Sequence, residues 1–382
     1  MPNAAATQRV IPFATAQDGT GSRHLSEQDA SFLRNVFANS HINFLLGAGF
    51  CGGVLPVLGN REEWLTAACK RGNAAAESLL QYEFFRSIIL PMATAQPTEC
   101  MVEFGRQLKR LLAERGTTSI PRKASLFTTN YDSLAEDALE KAGVSYNDGF
   151  EGRNNPTFAT RSFGRIHYAQ SLAMEYQAQI PTVNIVKLHG SVTWSRDAES
   201  PHIGFRQCGE ALRALESRHL DLLTEDELSV VEGIISGSAK EEKLDKLNEF
   251  IDEKGAEWAT NMSLFLQDYQ ATLQLINPTK NKFEETVMGL TYYELLRLFA
   301  NELDRNNSLL VSFGFSFADE HILEITRRAL DNPQLILIIC CHTGKDEDWY
   351  REKFREYDNV WYIVPEEKFE LDALCSVLNE VR

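Results

Sequence analysis

The sequence TTNYDSLAEDALE, residues 128–140, places an asparagine and an aspartate two residues apart, where an apolar run gives way to a helical pattern. The carboxamide of Asn130 and the carboxylate of Asp132 could hold a ligand there, since loops between elements often carry functional groups. Both residue types also form turns and helix caps, and for these two residues taken alone that structural interpretation is the simpler one. The choice depends on which other loops the fold places beside them.

A glycine-rich segment, GAGFCG, follows the apolar run HINFLL. Gly47 and Gly49 belong to a GxGxxG spacing, which permits a tight turn and a close approach of the backbone to a pyrophosphate. An acidic residue about 20 positions later usually binds a ribose, and the candidates in that region are Glu62 and Glu63, both within a helical pattern. The motif alone is also compatible with a plain strand-to-helix turn.

Two further segments carry candidate groups directly after apolar runs. His189 follows VNIVKL, and Gly314 and Ser316 follow SLLVS. A histidine can exchange a proton near neutral pH, which suits it to acid–base chemistry. Taken alone, His189 could equally be a buried structural histidine, and Gly314 and Ser316 could be a turn and an N-cap.

Apolar runs alternate with helical patterns along most of the chain. The runs are continuous, as expected when helices cover both faces of a sheet, and their alternation with helices is typical of parallel βαβ units. We therefore predict an α/β fold, a Rossmann-like parallel sheet with helices on both faces and helical insertions. The predicted strands are HINFLL, ASLFTT, VNIVKL, ATLQLI, SLLVSFG, QLILIICC and NVWYIV.

Some parts of the chain depart from this alternation. Residues 1–24 lack periodicity and are predicted to form an N-terminal arm. Residues 25–382 are predicted to form one domain, with helical insertions at about 61–120 and 200–270. The second insertion is marked by a shift to a charged composition.

Ligands bind at the carboxyl ends of the strands in an open parallel sheet. The glycine-rich, Asn/Asp, His-Gly and Gly/Ser loops all follow predicted strands, so this fold would bring them to one rim. A sheet built only for stability has no reason to collect these residue types there. The pattern therefore predicts a single binding cleft.

Composition restricts the class of protein. The 382 residues are 43% hydrophobic and 24% charged, as in ordinary globular proteins. A net charge of −16 argues against broad nucleic-acid binding, although backbone amides can still hold a phosphate. Seven scattered cysteines without a CxxC pair are typical of reduced thiols and offer no paired-cysteine zinc site. No apolar run approaches the ~20 residues that span a bilayer, and we expect a cytoplasmic protein.

The four loop segments resemble the sirtuin family in content and in order along the chain. Sirtuins carry GAG after the first strand, a Q-N-x-D loop, a Leu-His-Gly strand end and a Gly-Thr-Ser loop. The matching segments here are GAGF (47–50), TNYD (129–132), KLHGS (187–191) and GFS (314–316). The resemblance spans roughly residues 41–345 and implies a sirtuin-like, NAD-binding catalytic domain.

Two departures set this chain apart from protein-deacylating sirtuins. Those enzymes usually carry a four-cysteine zinc module between the His-Gly motif and the next strand, where this chain has only Cys208. Thr129 also replaces the family's glutamine. The chain is more similar to the divergent bacterial sirtuin-like branch that hydrolyses NAD in anti-phage defence. This resemblance implies an enzyme that uses NAD as its substrate, releases nicotinamide and ADP-ribose, and needs no metal.

The resemblance also implies roles for individual residues. Asn130 and His189 would be catalytic: Asn130 would face the ribose or hold the water, and His189 would accept a hydrogen bond or proton from a ribose hydroxyl. Asp132 would bind the nicotinamide carboxamide. The other expected contacts are the amides of Gly47, Ala48 and Gly49 on the pyrophosphate, the Phe50 ring beside the nicotinamide, and Gly314 and Ser316 on a phosphate or the adenosine ribose.

Regulation and two other functions stay open at this point. An NAD hydrolase that was always active would kill its host, so we expect activation by homo-oligomerisation or by a separately encoded partner. Relatives of this branch pair with a HerA-type ATPase or with an Argonaute, and the sequence does not choose between them. The alternatives are an NAD-dependent protein deacylase and a non-catalytic module that senses NAD or ADP-ribose. We expect no membrane association and no direct nucleic-acid binding.

Overall fold

An eight-stranded sheet forms the centre of the protein, and each pair of neighbouring strands in it runs parallel. The structure is a computed structural model that describes residues 8–14, 24–115, 120–170, 176–196, 202–220, 222–276 and 286–381. In chain order the strands are β1 (Arg9–Phe13), β2 (His41–Leu46), β3 (Lys123–Thr128), β4 (Ser145–Asn147), β5 (Thr182–Lys187), β6 (Ser308–Phe313), β7 (Leu335–Cys340) and β8 (Val360–Pro365). Their order across the sheet is β1-β8-β7-β6-β2-β3-β5-β4.

Helices lie between these strands and in the two predicted insertions. They are α1 (Glu27–Asn39), α2 (Arg61–Arg71), α3 (Ala74–Phe84), α4 (Glu99–Ala113), α5 (Leu134–Lys141), α6 (Cys208–Arg218), α7 (Glu225–Ile235), α8 (Glu241–Thr272), α9 (Thr286–Leu303), α10 (Glu320–Leu330), α11 (Asp346–Phe354) and α12 (Leu371–Glu380). Among the described residues, no helix has both the length and the apolar character needed to cross a membrane.

The sheet separates two hydrophobic cores. Successive strand residues point to opposite faces, so Phe44 and Leu126 enter one core and their neighbours Leu45 and Phe127 enter the other. Helices α1, α4 and α12 supply side chains to the first core, and α9, α10 and α11 supply them to the second. The predicted α/β fold, a Rossmann-like parallel sheet with helices on both faces and helical insertions, is confirmed.

One predicted strand, ATLQLI, is wrong for most of its length. Ala271 and Thr272 complete the last turn of α8, and Leu273 N–H donates to Tyr269 O at 2.9 Å as that helix ends. Strand pairing covers only Gln274–Leu275, which pairs antiparallel with Gly190–Ser191 and stays outside the main sheet. The long amphipathic helix before this run therefore overrides its apolar strand pattern.

Within the predicted N-terminal arm, Arg9–Phe13 forms β1 and pairs with β8 at the sheet edge. Ile11 and Phe13 are buried while Val10 is exposed, so the segment does have the strand period of two. Pro12 is tolerated because edge strands can lack a ladder donor. The rest of the predicted arm, residues 1–7 and 15–23, lies outside the described residues.

The two insertions pack against each other. Tyr82 of α3 and Phe265 of α8 meet edge to face, with ring centroids 4.9 Å apart. The second insertion is preceded by a small antiparallel sheet, which the sequence interpretation did not contain. Its strands are Phe150–Glu151, Thr157–Phe158, Trp194–Arg196 and Ile203–Phe205.

Candidate functional site

Four neighbouring strands carry the four loops that the sequence singles out. The sheet order places β6, β2, β3 and β5 side by side. Leu46 pairs with both Phe313 and Thr128, and Thr128 pairs with Lys187, so the four strands end level with one another. Because the strands are parallel, all four loops begin at the same edge of the sheet.

The glycine-rich loop and the Gly314 loop pack backbone against backbone. A Cβ atom on Gly47 would lie 2.2 Å from Gly314 O, and one on Gly49 would lie 2.6 Å from Gly314 Cα. Gly314 has a φ of +61°, in the left-handed region that favours glycine. Contact between the two loops therefore excludes side chains at all three positions.

The amides of Gly47 and Gly49 take part in this contact. The Gly47 N–H donates to Phe313 O at 3.0 Å, and the Gly49 N–H donates to Gly314 O at 3.2 Å. The family resemblance implies that both amides contact a pyrophosphate; in this structure each amide donates to the backbone of the loop after β6. Ala48, between the two glycines, is exposed.

Asn130 ties a third loop to the glycine-rich loop. Its Nδ2 donates to Gly47 O at 3.0 Å and to Cys51 Sγ at 3.3 Å, while its backbone N–H donates to Thr128 Oγ1 at 3.0 Å. The carboxamide is planar, so a nitrogen that faces the glycine-rich loop turns the oxygen Oδ1 the other way. Oδ1 is therefore the atom of this side chain that is placed for chemistry.

Asp132 forms a turn directly before α5, whose N-cap is Ser133. Its Oδ1 accepts from Leu134 N at 2.9 Å at the start of α5, and its Oδ2 accepts from the Cys51 thiol at 3.2 Å. Burial, followed by the nearby Asp132 carboxylate, raises the pKa of Cys51, which keeps it a neutral donor. Each carboxylate oxygen has a second acceptor site, so Asp132 can still bind a ligand donor.

A buried cation supports this loop from behind. Lys187, 4% exposed, donates from Nζ to the backbone oxygen of Asp132 and lies 3.2 Å from Glu136 Oε2. Burial raises the pKa of Glu136 to about 7, against the opposing effect of Lys187. The lysine thus fixes the backbone at Asp132 while facing a carboxyl group that titrates near neutrality.

His189 faces the loop that follows β6. Its Nε2 lies 3.1 Å from Oδ2 of Asp319, and the two side chains are only 9% and 8% exposed. Its backbone oxygen accepts from Ile276 N at 2.9 Å, and its ring centroid lies 6.0 Å from that of Tyr292 on α9. The 3.1 Å separation brings the two groups close enough to interact, so His189 and Asp319 form a pair across the cleft.

Two cavities lie along this rim. The smaller, about 340 Å³, is lined by the Asn130, Asp132, His189 and Asp319 side of the cleft. The larger, about 800 Å³, extends past the ends of β6 and β7 to the start of α12. The residues that line both cavities are Ala48, Leu55, Gly314 and Ser316. The joined glycine loops therefore form the border between two halves of one cleft.

Phe50 and Ser316 differ in their access to this cleft. The Phe50 ring packs edge-on against Phe104 of α4, with centroids 5.6 Å apart, and the residue is 2% exposed. Phe50 lines the larger cavity but not the smaller one, and its predicted place beside the nicotinamide stays a prediction. Ser316 Oγ accepts from Ala318 N at 3.3 Å, and its hydroxyl can still donate to a ligand.

Asp319 and Cys51 belong to the site although the sequence analysis assigns them no role. Asp319 stands directly before α10, where an aspartate is a common helix cap. Because capping already accounts for an aspartate at this position, the sequence gives no reason to expect its contact with His189. The remaining signal is its place in a loop that follows a predicted strand. Cys51 lies within the glycine-rich motif, and its position there is the signal that separates it from the other cysteines.

The comparisons with solved structures give matches of low identity. A structure of Sir2Tm bound to a propionylated peptide has 14% identity and a TM-score of 0.44, covering 93% of this chain and 98% of that one. A Sir2–p53 peptide–NAD⁺ structure has 14% identity and a TM-score of 0.40, covering 90% of this chain and 94% of that one.

The comparison with protein families is more local. No curated protein matches this chain. A family model described as SIR2-like domain matches residues 124–227. The matched segment includes Asn130, Asp132 and His189, which line the smaller cavity. Residues 124–227 are therefore similar to a SIR2-like domain.

Proposed function

We propose that this protein is an NAD hydrolase, which cleaves the bond between nicotinamide and ribose to give ADP-ribose and nicotinamide. The main support is that Asn130 and His189, from the ends of two adjacent strands, line one cavity of about 340 Å³. The SIR2-like match includes both residues, which connects this pair to NAD chemistry.

The proposed reaction consumes one NAD and one water. The bond from C1′ to the nicotinamide nitrogen breaks, and its electron pair passes to that nitrogen. Nicotinamide is a pyridinium cation in NAD, so it leaves as a neutral base without taking up a proton. A water oxygen bonds to C1′ and releases one proton. The transition state resembles an oxocarbenium ion, so the site must orient the ribose, stabilise positive charge and admit water.

Asn130 suits the stabilising role. Its nitrogen is held by Gly47 O and Cys51 Sγ, which fixes the direction of Oδ1 before a substrate binds. A fixed carbonyl dipole can stabilise the positive charge that develops on the ribose, or it can hold the attacking water. Because it is fixed in advance, it does not have to reorganise during the reaction.

His189 suits the proton-transfer role. An imidazole can accept a proton from a ribose hydroxyl or from the water near neutral pH. The side chain is 9% exposed, which limits competition from bulk water. Asp132 lines the same cavity and remains the proposed partner of the nicotinamide carboxamide.

The divided cleft suits a dinucleotide. We place the nicotinamide riboside half in the smaller cavity and the adenosine half in the larger one. The pyrophosphate would then cross the border at Ala48, Gly314 and Ser316, where a hydroxyl donor and exposed backbone are found. In this arrangement Gly47 and Gly49 shape the border through their close packing and do not donate amides to the phosphate.

The biological setting follows from the sequence resemblance. We propose a cytoplasmic effector that depletes NAD and halts an infected bacterial cell. Activation would come from homo-oligomerisation or from a separately encoded partner such as a HerA-type ATPase. Cells that carry the gene should then lose NAD on phage infection, and cells with the Asn130→Ala variant should not.

The chemical test is incubation of the purified chain with NAD and no acylated peptide. The assay is run with and without any genetically adjacent partner, because a partner-activated hydrolase stays silent alone. We expect equal amounts of nicotinamide and ADP-ribose, and near-background turnover for Asn130→Ala. Asn248→Ala is the matched control, since Asn248 binds Asn73 within the helical insertions, away from the cleft.

The alternatives give different results in the same assay. A deacylase releases nicotinamide only when an acylated peptide is added. A sensor consumes no NAD but is stabilised against heat by it. Either pattern contradicts the hydrolase proposal.

A further inference from the structure

Asp319 uses its two carboxylate oxygens in two directions. Oδ1 accepts from the backbone N–H groups of His321 and Ile322, at 3.0 and 3.2 Å, and so caps α10. Oδ2 lies 3.1 Å from Nε2 of His189. Capping alone would not require the second contact, which crosses from the loop after β6 to the loop after β5.

The turn that delivers Asp319 has an uncommon conformation. Phe317 has a φ of +53°, in the left-handed region that residues with a side chain rarely adopt. Its fully buried ring packs edge-on against Phe315 and Phe354, each with centroids 5.0 Å away. This packing offsets the backbone cost and holds the loop in place. Strained backbone of this kind is concentrated at functional sites.

His189 is fixed independently of Asp319. Its backbone oxygen is bound by Ile276 N, and Tyr292 of α9 lies beside its ring. The pair therefore joins two loops that are each held by their own contacts. The 3.1 Å contact between two such loops restricts the orientation of the imidazole ring.

We infer that Asp319 is a positioning residue for His189, an inference that rests on the proposed NAD hydrolysis. The carboxylate accepts the proton on Nε2 and so selects the tautomer that carries it there. A proton that His189 takes from a ribose hydroxyl or from water then goes to Nδ1. The carboxylate stabilises the imidazolium that results, while Asp319 itself stays ionised.

Other titratable groups surround the ring and remain in place when Asp319 alone is changed. Tyr292 lies against it from α9, and burial, followed by the charge of Asp319, raises the pKa of that tyrosine. The other titratable side chains that line the cavity are Cys51, Glu62, Tyr131 and Asp132.

The variant Asp319→Asn separates capping from positioning. Asparagine caps helices about as well as aspartate, so the melting temperature should stay close to that of the wild type. An amide group in the place of Oδ2 donates a proton and cannot accept the one on Nε2. We expect kcat for NAD to fall roughly 10- to 100-fold with KM nearly unchanged.

The pH profile of kcat distinguishes the two roles, because a loss of helix capping alone would not shift it. A carboxylate favours the protonated imidazole, so its loss should shift the acidic limb of the kcat profile to lower pH. Asp319→Ser, which keeps a capping oxygen too short to reach the ring, should give the same shift. Asp268→Asn, at a second His–Asp pair in the helical insertion, is the matched control and should leave kcat and the profile unchanged.

Two results would overturn the inference. One is a wild-type kcat and pH profile in Asp319→Asn. The other is a uniform loss of activity at every pH together with a lower melting temperature, which indicates capping alone. If the wild type consumes no NAD under any condition, the proposed function fails instead. The pairing is then judged by NMR: the midpoint of the His189 ring titration must fall in Asp319→Asn, and an unchanged midpoint refutes it.

Discussion

Among the described residues, a histidine–aspartate pair in the cleft can be compared with one in the second helical insertion. In the cleft, His189 Nε2 lies 3.1 Å from Asp319 Oδ2, and both side chains are under one tenth exposed. In the insertion, His219 Nε2 lies 2.9 Å from Asp268 Oδ2, but that carboxylate is 40% exposed and also binds Arg218 at 3.1 Å. The two pairs have similar distances between nitrogen and oxygen, in different surroundings.

The difference between these pairs lies in what they join and what they face. The insertion pair fastens the end of α6 to α8, and the His219 ring packs edge-on against Phe265. The cleft pair joins two strand-end loops and borders a cavity that also contains Asn130. A histidine–aspartate pair therefore does not indicate a catalytic site by itself. The cleft pair is the candidate because it lies at the carboxyl ends of the strands.

The largest expected effect comes from removing the proton acceptor in each pair. His189→Gln keeps a nitrogen that can donate to Asp319 but cannot take up a proton, so kcat for NAD should fall at least ~100-fold. His219→Gln keeps the corresponding contact to Asp268 and should leave kcat unchanged. Turnover and melting temperature are measured for both variants. Similar losses of turnover in the two would remove the distinction between the pairs.

A smaller effect is expected when a methyl group is added to each region. Gly47→Ala places a Cβ 2.2 Å from Gly314 O and should destabilise the protein by ~1–3 kcal/mol, because neither backbone can move aside easily. Gly233 lies within α7 and a Cβ there would meet nothing within 4 Å. Gly233→Ala should stabilise the helix by up to ~1 kcal/mol. Denaturant unfolding measures both, and a neutral Gly47→Ala would refute the close packing of the two loops.

Stability should also change with pH, and the two regions should show changes of opposite sign. Burial raises the pKa of Glu136 from 4.5 to about 7, so its stabilising contribution is complete below pH 4.5 and is lost as the pH rises through 7. In the insertion, hydrogen bonds from Lys254 and from Thr224 N lower the pKa of Glu227. Its contribution is present above pH 4.5 and is lost as the pH falls; it should be small, since the carboxylate is 32% exposed.

Melting temperatures between pH 4 and pH 8 check this for Glu136→Gln and Glu227→Gln. The wild type should become less stable than Glu136→Gln as the pH rises towards 7 and beyond. Relative to Glu227→Gln, the melting temperature of the wild type should increase only as the pH rises from 4 towards 5. If the melting temperature of the wild type rises relative to that of Glu136→Gln at high pH, attraction to Lys187 outweighs the burial of the carboxylate.

The strands that build the cleft could be predicted because their sequences are continuous apolar runs. HINFLL and SLLVSF coincide with β2 and β6, and the order of elements implies that their loops share an edge. β1 was missed because five strand residues stand within an aperiodic segment and include Pro12. The ATLQLI prediction failed because α8 extends into it.

The orientation of the candidate groups was less predictable than their convergence at one edge of the sheet. The spacing of Gly47 and Gly49 indicates a close backbone approach, but it does not say whether a phosphate or another loop makes that approach, and here it is the Gly314 loop. The position of Phe50 in the motif does not tell which way its ring points, and the short helical turn directs it to Phe104. Such orientations depend on tertiary contacts that local sequence does not encode.

The most direct test of the account is a crystal structure of His189→Gln with NAD bound, since this variant should bind the dinucleotide without cleaving it. We predict the nicotinamide ribose in contact with Asn130 Oδ1, the carboxamide beside Asp132, and the pyrophosphate at the border formed by Ala48, Gly314 and Ser316. NAD bound elsewhere, or oriented with its adenine beside Asn130, would contradict the account.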